Sequence, residues 1–444
     1  MDTSWKAGPI GFSPSRRNVL KGGAALVAGT ALIGLSACGG DEDKVIRIDA
    51  KDYGALDDNV TDNAPAFRRA FSAATKKIGK NGVGSVDVIV KGGGTGYRCG
   101  SLTIPDHVRL VGSGTMPVLT PMQPLDRWLQ AAEGSSAAGL SGLKLDTAGM
   151  VSQTVFTVSR KAKKVSLEKV QIVNSTGTPA RAGVETRSGN VGLSLTGCAI
   201  NDSIVGVQMT QDPRSIQITD CTFDRWVQRA VWVRSTAQAA TSDLEIRRCT
   251  IGPPAPGGSV RQPIQINAHD DLPIIGVRII DNHVRGTGTD HKDVANPGTA
   301  DLISLHRCQD FEVSGNTCID GGEVGITVSQ QSNKGKVLRN TCTNNGAAGI
   351  AIGSGTSDFV RDIVVADNVC NNNGRPGNDD DTNNPGRSGI YVYNAKNVTL
   401  SNNICGNTGK TKSQMYGLWI VSSKVKLESN KLTGNNLSSV GRPK

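Results

Sequence analysis

The chain has 444 residues and a formal charge of +10, with 54 glycines but only 4% aromatic residues. Leucine and long helical stretches are scarce while Gly, Asn, Thr, Ser and Val are plentiful, which excludes a helical bundle or coiled coil. The 37% of hydrophobic residues are spread along most of the chain, which excludes global disorder. The length therefore suits either a few ordinary domains or one long repeat array.

The first 38 residues differ in composition from the rest of the chain. The stretch SRRNVLK at residues 15–21 resembles a twin-arginine export motif, with Val19 where the motif usually has Phe. The uncharged run that follows is too rich in Gly and Ala for a spanning helix, which needs ~20 strongly apolar residues. The stretch LSAC, ending at Cys38, resembles a bacterial lipobox and implies lipidation of that cysteine.

This N-terminal segment predicts where the protein acts. We expect export of the folded chain to the bacterial periplasm or cell envelope, with the lipid on Cys38 as its only membrane contact. Cleavage without lipidation, and hence secretion, is the alternative, because a small-residue site before Cys38 also suits an ordinary signal peptidase.

Residues 39–84 are predicted to form a linker and an N-terminal cap. Thr61 or Asp62 can cap a helix in which apolar residues share one face. That face contains Phe67, Ala70, Phe71 and Ala74. A helix of this kind would close the open apolar end of the fold that follows.

A repeat dominates the chain beyond residue 85. The pattern apolar-x-apolar-x-x-(Cys or Asn)-x-apolar recurs ten times, and its Cys/Asn column reads Val170, Cys198, Cys221, Cys249, Asn282, Asn316, Asn340, Asn368, Asn403 and Asn430. Each unit has two short strands around a bend, a variable loop and a third strand of the form Gly-Ile-x-Val. Stacked units with three short strands predict an all-β parallel β-helix over residues 85–436, followed by a tail at 437–444.

The Cys/Asn position lies at the bend of each repeat unit, and the asparagines there suit such a bend. An Asn there can adopt the left-handed backbone region at low cost. Its amide can also bond to the Asn one coil above, so the six asparagines predict an internal ladder.

The Asn column and the Gly-Ile-x-Val strands resemble the right-handed parallel β-helix proteins of the pectate-lyase-like superfamily. The segments DYGA at residues 52–55 and TDNAPAFRRA at residues 61–70 are similar to the entry segment of that superfamily. The resemblance implies the fold more strongly than an activity. It also implies a substrate groove on the strand after the variable loop.

Nine cysteines remain after Cys38, and seven of them fall in the two interior columns of the repeat. We expect buried small side chains there rather than metal ligands, because no Cys-x-x-Cys pair exists. Disulfides between neighbouring coils are not required. Cys99 and Cys308 lie outside the columns and have no predicted role.

The outward positions of the Gly-Ile-x-Val strands are unusually rich in groups that stack on sugars or bond to hydroxyls. Loops at 252–262, 285–300, 374–388 and 406–416 precede these strands and would form one wall of a groove. An alternative is that the aromatic residues only cover the sheet or contact another protein. The candidate substrate-binding residues are Gln208, Trp232, Gln265, Ser304, Tyr391, Tyr393 and Trp419.

The centre of this strip carries the candidate catalytic residues. Arg234, Asn267 and His306 occupy one column, and His269 follows Asn267 on the same strand. A lyase or epimerase of an acidic polysaccharide must neutralise the uronate carboxylate, which suits Arg234 and Asn267, and must move a proton, which suits an imidazole of His306 or His269. The stretch NAHD at residues 267–270 also resembles the Asp-Pro-His-Asp motif of alginate epimerases, with two departures.

Two other functions stay open at this point. A glycoside hydrolase would use two carboxyl groups, and the loops beside the groove offer Asp270, Asp271, Asp301, Asp320 and Glu323. The Gly-His-Gly and Arg-x-Lys elements of β-helix polygalacturonases are missing. A glycan-binding or envelope scaffold protein would need no catalytic group. A phage tailspike fits the fold, but the export signal argues against it.

The sequence predicts an acidic polysaccharide as partner, and it predicts neither nucleic acid nor a resident cofactor or metal. Asp379 to Asp381 fit either a weak calcium site or a solubilising acidic loop. The segment DHKD at residues 290–293 is equally ambiguous. The sugar and the oligomeric state are left open.

Overall fold

The computed structural model describes residues 45–78, 84–236, 241–255, 262–269, 272–287, 301–353, 359–374, 386–409 and 413–442. The predicted export signal with Cys38 lies outside these ranges. So do Asp270, Asp271, the DHKD segment and the Asp379 to Asp381 loop. The described part of the chain forms three long parallel sheets, which we number in the order that each coil visits them.

Sheet 1 has fourteen strands, numbered here in chain order with those of the other sheets: β1 (Val45–Asp49), β2 (Ser85–Gly92), β5 (Val108–Gly114), β8 (Gly139–Ser141), β11 (Ser166–Glu168), β14 (Ser194–Thr196), β17 (Arg214–Thr219), β20 (Ser242–Arg247), β23 (Ile274–Ile280), β26 (Cys308–Ser314), β29 (Asn333–Leu338), β32 (Val360–Ala366), β35 (Ala395–Ser401) and β38 (Val425–Glu428).

Sheet 2 has thirteen short strands: β3 (Tyr97–Cys99), β6 (Val118–Pro121), β9 (Lys144–Asp146), β12 (Gln171–Val173), β15 (Ala199–Asn201), β18 (Thr222–Asp224), β21 (Thr250–Ile251), β24 (His283–Arg285), β27 (Thr317–Ile319), β30 (Thr341–Thr343), β33 (Val369–Asn371), β36 (Ile404–Gly406) and β39 (Lys431–Thr433).

Sheet 3 also has thirteen strands: β4 (Leu102–Ile104), β7 (Leu125–Ala131), β10 (Val151–Val158), β13 (Ala182–Thr186), β16 (Val205–Gln211), β19 (Arg229–Ser235), β22 (Ile264–Asn267), β25 (Ile303–His306), β28 (Ile326–Ser329), β31 (Ile350–Gly353), β34 (Ser388–Tyr393), β37 (Tyr416–Val421) and β40 (Ser438–Gly441).

The strand order confirms the predicted right-handed parallel β-helix, because successive strands in each sheet come from successive coils. Inward side chains of all three sheets form one continuous apolar core. The β-helix extends beyond the predicted residues 85–436 at both ends. Val45–Asp49 already pairs with β2, inside the segment assigned to the linker and cap, and Ser438–Gly441 pairs with β37, inside the predicted tail. Both strands lie outside the Cys/Asn repeat, so the pattern did not reveal them.

A single described α-helix, α1 (Ala64–Ile78), follows a 3₁₀ turn at Ala50–Tyr53. The Asp62 carboxylate accepts a hydrogen bond from the Ala64 amide at 3.0 Å, as expected for a cap. Phe67 and Phe71 on the predicted apolar face are buried, together with Ala70 and Ala74. The predicted capping helix is therefore present.

The predicted asparagine ladder runs from Asn282 to Asn430 at the bend between sheets 1 and 2. Side-chain amide nitrogens donate to the next side-chain oxygen at 2.9 to 3.0 Å along the whole column. Each oxygen also accepts the backbone N–H of the preceding Asn, as Asn368 does from Asn340 at 2.9 Å. The ladder thus satisfies buried polar groups that the bend would otherwise leave unpaired.

The left-handed residue at this bend is not the Asn, contrary to the prediction. It is the residue before each column position, and φ there lies between 50° and 67°; these residues are Lys169, Gly197, Asp220, Arg248, Asp281, Gly315, Arg339, Asp367, Asn402 and Ser429. The Asn side chain must point inward to bond its neighbours. The sharp change of chain direction therefore falls one residue earlier.

A second amide ladder, not predicted, stands at the bend between sheets 2 and 3. Asn345 donates to Asn373 at 3.0 Å, Asn373 to Gln414 at 3.4 Å, and Gln414 to Asn435 at 2.9 Å. Asn345, Asn373 and Asn435 each lie five residues after an Asn of the first ladder, so this spacing was visible in the sequence. Gln414 lies just before β37 and does not share that spacing.

All nine described cysteines are free and buried. Cys318, Cys342, Cys370 and Cys405 align in register across sheet 2, as predicted for an interior column. Cys99 and Cys308, which had no predicted role, also lie in the core. Their packing makes the thiols small apolar side chains rather than reactive groups.

We expect these nine thiols to resist alkylation in the native protein. Burial removes access to all nine thiols, and it also raises the pKa of Cys99 to about 12, so little thiolate forms there. Treatment with N-ethylmaleimide, followed by peptide mass spectrometry, should label them only after denaturation. Labelling of Cys405 in the native chain as fast as in the denatured chain would contradict this prediction.

Candidate active site

Sheet 3 carries the two outward columns that the repeat predicted. In-register pairing aligns one column of Glu185, Gln208, Trp232, Gln265, Ser304, Thr327, Ala351, Tyr391 and Trp419. The other contains Thr210, Arg234, Asn267, His306 and Ser329, with Gly353, Tyr393 and Val421 on later coils. The alignment is confirmed, and the roles of these residues stay predictions.

Parts of this face are covered by the protein itself. Gln208 and Ser304 are 5% and 0% exposed, and Trp419 is 4% exposed. Tyr416 packs on Trp419 with ring centroids 4.4 Å apart, and Met415 joins the same cluster. The prediction of a sugar platform at Trp419 is therefore corrected: this tryptophan is a packing residue. Its rings are covered by Tyr416 and Met415, and the alternation of inward and outward residues along a strand does not reveal such contacts.

Arg234 lines two pockets on the outward face of sheet 3. The larger, of about 750 Å³, is lined by polar and basic residues that include Arg160, Arg187, Thr210 and His269. The smaller, of about 690 Å³, includes Arg181, Arg229, Trp232 and Asn267. The described residues that line these pockets include no Asp or Glu. Arginine side chains in this number favour a ligand with several anionic groups.

Trp232 stands in the smaller pocket with its ring position set by neighbours. The Arg229 guanidinium carbon lies 4.7 Å from the ring centroid, which is a cation–π contact. Arg229 also donates from Nε to the Gln265 side-chain oxygen at 2.6 Å. These contacts join two neighbouring coils, those of β19 and β22, and hold the arginine, tryptophan and glutamine together as one surface.

One carboxylate modifies the basic character of this face. Arg187 donates to the Glu185 carboxylate at 2.9 Å, and the Thr154 hydroxyl donates to the same oxygen at 2.9 Å. The charge of Arg187 is therefore largely offset. Arg160, Arg181 and Arg234 are exposed.

His306 sits between two serines rather than in open solvent. Its Nε2 lies 2.6 Å from the Ser304 hydroxyl and its Nδ1 lies 2.7 Å from the Ser329 hydroxyl. Burial lowers the pKa of His306 to about 4, and the charge of Arg307 adds to this effect. The imidazole is then neutral near pH 7 with both nitrogens engaged, which favours a positioning role over the proton transfer that the sequence suggested.

His269 is the nominated imidazole that stays accessible. It is exposed and lines the larger pocket together with Arg234. Its backbone N–H donates to the Ser235 hydroxyl at 2.7 Å, which ties the end of this segment to β19. Asn267 lies two residues earlier and lines the smaller pocket.

Tyr391 and Tyr393 form a stacked pair with ring centroids 4.5 Å apart and planes 9° apart. The Tyr393 ring lies against Gly353, where a Cβ atom would approach Tyr393 Cδ1 to 2.8 Å, so only glycine fits. Burial raises the pKa of Tyr391 to about 12, with Tyr393 adding to it. Both hydroxyls therefore remain protonated at neutral pH and can donate hydrogen bonds.

Two half-buried carboxyl groups, Asp301 and Glu323, lie close to each other, and the charge of Asp301 also acts on Tyr393. Asp301 accepts a hydrogen bond from the Val324 amide at 3.2 Å, and burial raises its pKa to about 6. Burial, and then the neighbouring Asp301 carboxylate, raise the pKa of Glu323 to about 7. Among the other nominated loop carboxylates, Asp320 pairs instead with Arg285 at 3.2 Å.

We expect Glu323→Gln to stabilise the protein above pH 7 and to have little effect at pH 4. The folded-state pKa of Glu323 is raised, so the folded state binds its proton more tightly and loses stability as the pH rises from about 4 to about 7. The gain at pH 8 should be about 1–3 kcal/mol, discounted for partial exposure. Thermal unfolding at both pH values measures it, with Glu312→Gln as control. A gain at pH 4 equal to that at pH 8 would contradict this explanation.

A family model described as the right handed beta helix region matches residues 152–377, just over half of the chain. The chain belongs to this family. A second model, for the twin-arginine translocation signal, matches residues 13–32 of this β-helix protein and indicates export across the membrane. None of its described helices has the length and apolar content needed to cross a bilayer. No curated protein matches the chain.

Solved structures resemble this β-helix protein at low identity. The catalytic unit of a GH87 α-1,3-glucanase from Streptomyces thermodiastaticus has 15% identity and a TM-score of 0.55, and the match covers 91% of this chain and 71% of that one. The AlgE6 mannuronan C-5 epimerase A-module of Azotobacter vinelandii has 15% identity and a TM-score of 0.42, covering 89% and 99%. A family 28 exopolygalacturonase of Yersinia enterocolitica has 12% identity and a TM-score of 0.49, covering 88% and 79%. At these identities the likeness concerns the fold alone.

Three pocket arginines were missed by sequence reasoning. Arg181 directly precedes β13 in RAGV and Arg229 is the first residue of β19 in RAVW, so a shared Arg-Ala pair was a visible signal. Arg160 follows the end of β10 and shows no such pattern. Only the stacking of coils brings it beside Arg187 and Arg234.

Proposed function

We propose that this exported β-helix protein acts on an acidic polysaccharide bound along sheet 3, as a lyase or epimerase. The observation that carries the proposal is the pair of pockets joined by Arg234, which present several arginines and no lining carboxylate among the described residues. Guanidinium groups bind carboxylates through two parallel hydrogen bonds. Trp232 adds an aromatic surface for a sugar ring.

The same arrangement suits removal of the proton at carbon five of a uronate. Arg234 with Asn267 would neutralise the carboxylate, and this lowers the cost of the negative charge that develops there. His269, which is accessible and beside Arg234, would take the proton. In elimination, the bond between carbon four and the glycosidic oxygen then breaks and the leaving oxygen takes a proton from solvent, whereas delivery of a solvent proton to the opposite face of carbon five gives the epimer.

The activity is tested by incubating the purified full-length chain with a panel of uronate polymers. A lyase yields an unsaturated sugar that absorbs in the ultraviolet, and an epimerase exchanges the hydrogen at carbon five for solvent deuterium. His269→Ala should abolish the signal found, while His107→Ala, on a turn outside sheet 3, should retain it. Binding without either signal would instead support a glycan-binding or envelope scaffold protein.

Glycoside hydrolysis is the second candidate, favoured by Asp301 and Glu323. Burial holds the pKa of both carboxyl groups above their ordinary values, which is how a general acid is kept protonated near neutral pH. The stacked tyrosines nearby offer a sugar platform. New reducing ends without ultraviolet absorption, lost in Glu323→Gln, would establish this reaction in place of the first.

We further propose a lipid anchor at Cys38 in the periplasm or cell envelope. The proposal rests on the lipobox-like sequence that follows the matched export signal. Cys38→Ala should release the protein from the membrane fraction, and metabolic labelling with a fatty acid should be lost with it. Unchanged membrane association of Cys38→Ala would favour another form of attachment.

A further inference from the structure

We infer that the bend between sheets 3 and 1 at residues 160–164 is a second binding surface for the acidic polymer, outside the two pockets, an inference that rests on the proposed function. The stretch RKAKK at these residues places four cationic side chains among five residues. Lys161, Lys163 and Lys164, which we call the lysine ridge, are exposed, as is Arg160. The bend joins β10 to β11, and the ridge lines neither pocket.

The ridge is continuous with the larger pocket. Arg160, the residue directly before Lys161, lines that pocket together with Arg187 and Arg234. Even a fully extended backbone would place the Cα atoms of Arg160 and Lys164 no more than roughly 14 Å apart. One polymer chain can therefore occupy the pocket and contact the ridge at the same time.

Backbone hydrogen bonds hold the ridge in place. The Lys161 N–H donates to the Ser188 carbonyl of the next coil at 2.9 Å, and the Lys163 N–H donates to the Ser135 carbonyl of the preceding coil at 2.7 Å. Ala162 between these two lysines is buried. Binding at the ridge therefore has to order side chains but not the backbone, which lowers its entropic cost.

The charge of the ridge has no partner within the described part of the chain. At another left-handed bend position, Arg225 is paired with Asp202 at 2.6 Å. By contrast, Arg160 and the ridge lysines take part in no ion pair with the described residues. Asp212, at the same bend two coils further on, accepts a hydrogen bond from the Gly189 amide at 3.0 Å instead. The positive charge of the ridge is thus available to a ligand.

The fold does not require lysines at this bend. Lys164 has a left-handed backbone with a φ of 49°, and Gly192 stacks on it in the next coil with a φ of 79°. A lysine in this region costs backbone energy that glycine does not. Lys163 is aligned with Ser136 of the preceding coil and Val191 of the next, and neither is charged. A ligand therefore explains the lysines better than the packing of the coils does.

The shape and composition of this region favour a polymer over a membrane surface as its partner. A linear acidic glycan can enter the concave pocket and continue over the ridge, whereas a flat bilayer cannot. Proteins that lie on membranes usually insert Trp, Phe or Leu side chains among the lipids. Here the exposed apolar residue is Val191, and Arg214, aligned with it on the following coil, adds a positive charge.

Binding to the full-length chain is measured with polygalacturonate and polymannuronate, by calorimetry for the long polymers and by NMR titration for their disaccharides. The ridge variant combines three neutralising substitutions, Lys161→Gln, Lys163→Gln and Lys164→Gln. The control variant removes the same charge from exposed positions on sheet 1, through Lys334→Gln, Lys336→Gln and Arg361→Gln. Neither set includes a residue that lines a pocket.

We expect the ridge variant to bind the long polymer about tenfold more weakly than wild type, because three exposed charge contacts act together with the pocket on one chain. This difference should shrink as the salt concentration rises. Affinity for the disaccharide should stay within about twofold, because the pocket holds it without the ridge. The control variant should bind both ligands within about twofold of wild type. Unchanged melting temperatures separate these effects from folding.

Three outcomes overturn the inference. If the ridge variant loses no more affinity for the polymer than the control, or loses as much for the disaccharide, the ridge is not a second binding surface while acidic glycan binding stands. Vesicles of phosphatidylglycerol are tested in the Cys38→Ala background. Loss of vesicle binding but not of polymer binding in the ridge variant would assign the ridge to a membrane surface. If wild type binds neither the polymers nor the disaccharides, the proposed function fails together with the inference.

Discussion

Replacing Asn368 with alanine is expected to destabilise the β-helix by about 4 kcal/mol or more. The Asn368 oxygen accepts from the backbone and side-chain nitrogens of Asn340 at 2.9 and 3.0 Å. Its nitrogen donates to the Asn403 oxygen and the Val337 carbonyl, both at 2.9 Å. Truncation leaves four buried polar groups without these partners, and each such group costs about 1–3 kcal/mol.

Urea and thermal unfolding measure the loss, and amide hydrogen exchange at Asn340 locates it. Asn436→Ala is the matched control, because Asn436 is exposed and belongs to neither amide ladder. If Asn368→Ala lies within about 1 kcal/mol of this control, the ladder does not contribute to stability as described. Exchange confined to the neighbouring coils would show local opening of the repeat instead of global unfolding.

Replacing Arg234 with alanine should weaken binding of an acidic oligosaccharide by about 10- to 100-fold, the effect of losing one charge-assisted bidentate contact in a groove. Arg234 is the residue that lines both pockets, so its loss affects ligand on either side. The substitution should also reduce the dependence of affinity on salt concentration. Its exposed position makes loss of folding unexpected.

Calorimetry at low and physiological salt measures the effect of Arg234→Ala. Arg361→Ala, an exposed substitution on sheet 1, removes the same charge from another face and should leave binding within about twofold. Equal losses in both variants would mean that net charge, and not the groove, attracts the ligand. Full affinity in Arg234→Ala would place the binding surface elsewhere on the molecule.

Much of the fold followed from local patterns. The six asparagines at a recurring position predicted both the stacking of coils and the ladder, because only in-register stacking brings their amides together. The period-two strands predicted which residues of sheet 3 lie in the outward columns, and the pairing of Gln265 with Ser304 and Asn267 with His306 agrees. The cap helix followed from the apolar face around Phe67.

The site was harder to predict from the sequence, because a side chain in an outward column can still be covered by its neighbours. Trp419 lies in an outward column but packs against Tyr416, the first residue of the same strand, and against Met415. His306 lies in the other column but is half-buried, with its two ring nitrogens against the hydroxyls of Ser304 and Ser329 from its own and the next coil. Such coverage depends on side chains from neighbouring coils and loops, and no single repeat unit contains that information.

The β-helix, its register and the asparagine ladder can be predicted from the sequence, since each depends on residues at fixed spacing along the chain. Which outward groups form a site becomes visible only once the coils are stacked. It brings Arg160, Arg181 and Arg229 near Arg234, leaves His306 half-buried between two hydroxyls and leaves His269 exposed. The physical reason is that charge clustering and burial depend on distances between coils, and residues far apart in sequence set those distances.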